Sequence, residues 1–261
     1  MKGLWGLGIG VAVLAAACGS NRSAALVAAP GERHAEPQAR PSLVAPATPR
    51  PSPISPTPGI SPAVETDGAA VFHGTIQVIG PVRRARMSWS WRPGCPVPIR
   101  DLRLLTLDYR GFDGAVHRGE MVVNKGVAAD VVSVFRALFD ARFPIRRMKL
   151  VDVYGGDDDR SMAADNTSAF NCRSATGHPG VWSEHSYGWA IDINPVENPY
   201  VSSGGSVAPP AGARHANRSA TAPGMIQGSG VVVRAFAAVG WGWGGSWQSI
   251  KDYQHFSATG R

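Results

Sequence analysis

Four things are scarce in this 261-residue sequence, and each scarcity excludes something. No apolar run is long. Leu4–Ala17 is the most continuous, and it is too short for a comfortable transmembrane helix. Residues 19–70 contain no aromatic side chain and ten of the 21 prolines. Such a stretch cannot bury enough surface to fold, which makes it an extended tether. There is no internal repeat, so a solenoid is excluded. There is also no recognisable nucleic-acid module, so the net charge of +7 reads as a basic surface rather than a DNA-binding one.

Cysteine is scarce too: Cys18, Cys95 and Cys172. Residues 1–17 have the form of a signal peptide, with Lys2, an apolar stretch and small residues before Cys18. Leu-Ala-Ala-Ala-Cys followed by Gly-Ser resembles a bacterial lipoprotein cleavage site, which makes Cys18 the lipidated residue and the membrane a partner through that anchor. Export to an oxidising compartment then leaves Cys95 and Cys172 to form a disulfide. A nucleophilic Cys172 is the competing reading. At ~3.1 Å per residue the fully stretched tether reaches on the order of 150 Å, which suits an enzyme working away from the membrane. Residues 71–261 carry +6 of the net charge and, with 44% hydrophobic residues in the chain, suffice for one core.

Within that domain, Val71–Ile79 alternates loosely as a strand, and Arg83, Arg84 and Arg86 form a solvated basic edge. Leu102 to Phe112 and Val116–Val123 read as a hairpin turning at Asp113-Gly114. Val131, Val134, Phe135, Leu138 and Phe139 recur at helical spacing, predicting a helix from about Val127 to Arg142, stopped by Pro144. Lys149–Tyr154 reads as a strand. Asp157-Asp158-Asp159 reads as a solvated turn, since calcium loops alternate their ligands. Ala164–Arg173 is dense in small polar residues. Pro195–Pro223 is too long for a plain connector and is expected to wall a cleft. Val231–Val239 predicts a second helix, ended at Gly240.

The chemistry concentrates in two stretches. In Ser183-Glu-His-Ser-Tyr-Gly-Trp-Ala-Ile-Asp192 an imidazole precedes a carboxylate by seven residues. In Lys251-Asp-Tyr-Gln-His-Phe256 a carboxylate precedes an imidazole by three. His185, Asp192 and His255 can form a three-ligand zinc site with a free fourth position. Asp252 is then available as a base toward the metal's water, and Arg173 as the cation facing a developing oxyanion. Ser183 is placed to support a neighbouring ligand, and Trp241, Trp243 and Trp247 to line the substrate groove or pack beneath it. A Ser183–His185–Asp192 triad is the alternative on residue type. His34, His73, His117, His178 and His215 lack comparable company.

SxHxxGxAxD followed downstream by DxxH resembles the D-alanyl-D-alanine carboxypeptidase (VanY-like) family, which includes L-alanyl-D-glutamate endopeptidases. The likeness runs from about Lys149 to Phe256. It implies a small α+β fold of the Hedgehog/DD-peptidase type, with an antiparallel sheet flanked by helices and zinc in a central cleft. It also implies His185, Asp192 and His255 as zinc ligands, Asp252 as general base and peptidoglycan stem peptides as substrate. Many members carry a Tyr-Arg-Ser stretch that helps polarise the scissile carbonyl. Here the matching region runs Val153-Tyr-Gly-Gly-Asp157, so that role falls to Arg173, to Arg160 or to neither. The expectation is an extracytoplasmic, monomeric peptidase with no nucleic-acid partner. A catalytically silent wall-binding lipoprotein is the alternative.

Overall fold

The computed structural model describes residues 70–261. The expected signal peptide, the expected lipidation at Cys18 and all but the last residue of the expected tether lie outside the described residues.

Leucines set the first sheet. Strand β1 (Gly74–Val78) pairs antiparallel with β2 (Leu102–Arg110), and β2 pairs with β3 (Val116–Asn124). Helix α1 (Pro81–Ala85) follows β1 and buries none of its side chains. The β2–β3 hairpin turns at Asp113-Gly114 as the sequence predicts, with Gly114 at φ +77°. Strand periodicity splits the leucines of β2 between two cores. Leu105 and Leu107 join the main core, while Leu102 and Leu104 join a smaller one with Val122, Phe170 and Cys172. The smaller core is bordered by the Cys95–Cys172 disulfide, which forms as expected.

Helix α2 (Ala128–Asp140) lies within the predicted span. Its buried residues Val131, Val134, Phe135, Leu138 and Phe139 make one apolar stripe, set against Leu105, Met121 and Val123 in the main core. The residues that follow depart from the strand expected at Lys149–Tyr154. Val151–Tyr154 is a 3-10 turn ended by Gly155 in the left-handed region, φ +73°. The cause is local. The Asn166 side chain donates to the Lys149 carbonyl and accepts from the Lys149 N–H, doing with one amide what a neighbouring strand would do. The Asp152 carboxylate accepts from the Trp89 and Ser90 amides. The aspartate run is likewise more than a solvated turn. Asp157 caps helix α3 (Asp158–Ala163) by accepting from the Arg160 N–H.

The remaining strands are short. The β4 (Ser174–Ala175) and β5 (His178–Trp182) pair leads into helix α4 (Glu184–Tyr187) and strand β6 (Ala190–Asp192). The long loop contributes β7 (Tyr200–Val201), β8 (Val207–Ala208) and helix α5 (Ala213–Ala216). Helix α6 (Val231–Ala238) matches its prediction and precedes β9 (Gly242–Trp243), β10 (Lys251–Asp252) and β11 (His255–Ser257). Strand β11 sits between β6 and β9, and β7 between β10 and β8, all antiparallel. The α+β expectation holds, with several small antiparallel sheets in place of one. Phe236 of α6 stacks on Phe256 of β11 with ring centroids 4.1 Å apart. This contact puts β11 on the same core as α2.

Candidate metal centre

The motif SxHxxGxAxD folds as a cap, a helical turn, a stop and a strand, and each fixed position has a physical task. Ser183 is the N-cap of α4, its Oγ accepting from the His185 backbone N–H at 3.3 Å. Gly188 ends the helix at φ +70°. A Cβ there would lie 2.5 Å from the Asn124 backbone nitrogen, so the position excludes a side chain on two grounds. Ala190 is fully buried, and Asp192 ends β6.

The register of β6 against β11 pairs Asp192 directly with His255. His185, from the helical turn before, completes the cluster. Its Nε2 lies 3.3 Å from His255 Nδ1. The Asp192 carboxylate spans both rings, with Oδ2 3.2 Å from His185 Nε2 and Oδ1 3.1 Å from His255 Nδ1. All three residues are buried. Ligand atoms about 2.0 Å from a tetrahedral ion sit about 3.3 Å from one another, close to these separations.

The outward ring nitrogens set the tautomers. His185 Nδ1 lies 2.6 Å from the Ala169 carbonyl, and His255 Nε2 lies 3.1 Å from the Arg261 carbonyl. Each carbonyl takes an N–H, which leaves the inward nitrogens as lone pairs. Two lone pairs and a carboxylate converging in a buried site require a cation, so this donor set fits a divalent metal. Without one, a proton does part of that work. Burial opposes charge on His255, yet the Asp192 carboxylate outweighs it and pushes the imidazole up to about 9. Burial would also raise Asp192, and the two imidazoles overcome it and hold the carboxyl well below its usual range.

The cluster opens into a cleft of about 980 Å³. Asp252 lines it, with a buried Oδ1 that has no hydrogen-bond partner among the described residues. Burial, helped by the nearby Asp192 charge and countered by His255, pushes the Asp252 carboxyl up to about 7. Arg173 lines the cleft as well. Its guanidinium is held by Asp158 at 2.8 Å, and its buried Nε has no partner among the described residues. Arg160 instead points to Asp157 with its side chain 76% exposed and does not line the cleft. The long loop supplies Tyr200 and Ala208 to the wall, as expected.

The structure decides between the open alternatives. Trp243 takes the second of its two readings and does not line the cleft. It packs on Phe256 and Tyr253, and its indole N–H donates to the Tyr253 carbonyl, because the short β9 strand turns it into the core side of β11. Trp247 does lie on the wall, 5.5 Å from the His255 ring, and Trp182 lines the cleft as well. The serine triad is absent, since Ser183 Oγ is engaged by backbone and both His185 nitrogens face other partners. Cys172 is bridged, which removes it as a nucleophile. Sequence reasoning missed Glu184, Gln254 and His178 on the cleft wall, residues with no motif to mark them.

Residues 176–258 match the D-alanyl-D-alanine carboxypeptidase family. This family segment covers about a third of the chain and contains all three residues of the cluster together with Asp252. No curated protein and no solved structure matches the chain. The carboxypeptidase likeness therefore rests on this segment and on the geometry of the cluster within it.

Proposed function

We propose that this chain is a zinc peptidase that hydrolyses peptidoglycan stem peptides outside the membrane, held there by a lipid on Cys18 and the proline-rich tether. The supporting observation is the convergence of His185, Asp192 and His255 with fixed tautomers on a cleft that also presents Asp252. Three protein ligands of nitrogen and oxygen type are the donor set of a catalytic zinc site. When bound, zinc supplies Lewis acidity toward a carbonyl oxygen and toward water.

The chain's own groups divide the remaining work. Asp252 takes and returns a proton at Oδ1, an oxygen with no other hydrogen-bond partner among the described residues. Arg173 offers Nε–H to the carbonyl oxygen as it gains charge, while its tie to Asp158 keeps the guanidinium oriented. Trp247 and Tyr200 give the peptide apolar walls.

The test is incubation of the zinc-loaded chain with defined stem peptides and reading of product masses. Chelation should abolish cleavage, and zinc should restore it. Asp252→Asn should lower kcat by about 10²–10⁴-fold while zinc content stays at one per chain. Cleavage that survives exhaustive chelation overturns the reading. Stoichiometric zinc with no cleavage by the wild type would instead leave a silent wall-binding module.

A further inference from the structure

Buried side-chain oxygens and nitrogens are almost always partnered, so those that are not point to a ligand. On the wall of this one cleft are Arg173 Nε, Glu184 Oε2, Asp252 Oδ1 and Gln254 Oε1, each buried and without a hydrogen-bond partner among the described residues. Asp252 and Arg173 have tasks in the proposed reaction. Glu184 and Gln254 have none assigned there, although the Gln254 side chain also hydrogen-bonds the Asp252 carboxyl, and they immediately precede His185 and His255 in sequence.

Gln254 is the better determined of the two. It is only 2% exposed. Its backbone carbonyl accepts from the Ile193 N–H at 3.1 Å, which fixes it against the end of the Asp192 strand. Its amide nitrogen is turned to the Met162 sulfur at 3.4 Å, a weak acceptor. That orientation leaves the amide oxygen buried and without a partner among the described residues, in a side chain that lines the cleft one residue before His255. A glutamine whose only task was to fill space would be matched by an apolar side chain at lower cost.

We propose that Gln254 is a substrate-binding residue, its Oε1 accepting a backbone N–H of the bound peptide next to the bond that is cut. The proposal rests on the peptidase reading and names the part of the substrate this side chain reads. Glu184 Oε2 offers a second acceptor, and its negative charge favours a donor that is itself cationic, such as a free ammonium on the peptide. A peptide ligand with its amide hydrogens intact satisfies Gln254, whereas an ester analogue lacking the one N–H leaves it unpaired.

The test uses the zinc-loaded chain, a synthetic stem peptide ending in D-alanyl-D-alanine, and analogues in which single backbone N–H groups are replaced by ester oxygen. Gln254→Met keeps the length of the side chain and removes the strong acceptor. The expected result is a KM raised about tenfold with kcat changed less than threefold, unchanged zinc content and no loss of thermal stability. One ester replacement should weaken binding to the inactive Asp252→Asn chain by a similar factor and have no effect once Gln254→Met is added. Gln254→Glu, which keeps an acceptor oxygen, should recover part of the affinity. If the wild type cleaves the peptide and Gln254→Met leaves KM unchanged, or lowers kcat alone, Gln254 only positions Asp252 and the inference fails while the peptidase reading stands. If the wild type with zinc cleaves no stem peptide, both fail together.

Discussion

Replacing Asp192 by Asn tests whether the buried cluster is a metal centre or a hydrogen-bonded knot. Asp192 supplies the only negative charge among the three ligands and touches both imidazoles, at 3.1 and 3.2 Å. Asparagine keeps the shape and removes the charge. At free zinc a thousandfold above Kd, binding stabilises the folded wild type by about 4 kcal/mol. For a folded region of this size that corresponds to a rise in Tm of roughly 8–16 °C. A variant binding about 100-fold more weakly retains about 1.4 kcal/mol at the same zinc, or roughly 3–6 °C. Metal-free stability also falls, by about 3–5 kcal/mol, because the substitution breaks a buried ion pair with His255. The informative quantity is therefore the increment on adding zinc, read by calorimetry or thermal fluorescence, not the absolute Tm. His178→Ala, at a cleft histidine outside the cluster, should keep the full increment. Equal increments for wild type and Asp192→Asn, or none for the wild type, would refute the assignment.

Removing the Cys95–Cys172 bridge with a double serine substitution opens a loop of 77 residues. Chain entropy puts the loss near 4.5 kcal/mol, measurable as a lower midpoint in urea, and a loss below 1 kcal/mol would contradict that account. Gly188→Ala should cost about 3 kcal/mol or more, since it combines a left-handed φ with a backbone clash at Asn124; it should also weaken zinc binding by moving His185, so a neutral effect in both assays would refute the role given to this glycine. Glu197 is buried beside Asp165 and pushed up to about 7, first by burial and then by that neighbour. Between about pH 4.5 and 7 the folded chain keeps a proton the unfolded chain has lost, so stability falls as pH rises through this window. Glu197→Gln should flatten the fall and add on the order of 2–3 kcal/mol at pH 8, and an unchanged pH profile of stability would contradict the origin given for it.

The sequence carries the parts of this fold that repeat. The leucines of β2 alternate, the apolar residues of α2 recur at helical spacing, and both elements form where that periodicity places them. Lys149–Tyr154 misleads because its alternation of valine with aspartate reads as strand. What decides its structure is Asn166, twelve residues beyond Tyr154, whose amide occupies the Lys149 backbone groups. A side chain acting as a strand partner leaves no periodic trace. The tryptophans near the C-terminus show the same limit: Trp243 and Trp247 are equivalent by composition, and only the direction of β9 separates core from cleft.

That His185, Asp192 and His255 converge was legible because metal chemistry restricts a candidate cluster to few residue types at spacings that local structure can close. The cluster's orientation was not, because the groups that fix the imidazoles are backbone carbonyls, which any residue can supply. The one on His185 comes from Ala169, in a segment that lies before the family-matched residues. That segment is tied on every side. Ser168 exchanges two backbone hydrogen bonds with Asp192, the Phe170 N–H donates to Val122 of β3, and the Asn171 N–H donates to the His185 carbonyl. Cys172 follows immediately and is bridged to Cys95. Residues 168–172 therefore couple the first sheet to the His185–Asp192–His255 cluster, and the disulfide restrains the strip that aims His185. This gives the N-terminal part of the domain a task although it contributes no residue to the cluster: it holds the carbonyl that decides which nitrogen of His185 faces Asp192 and His255.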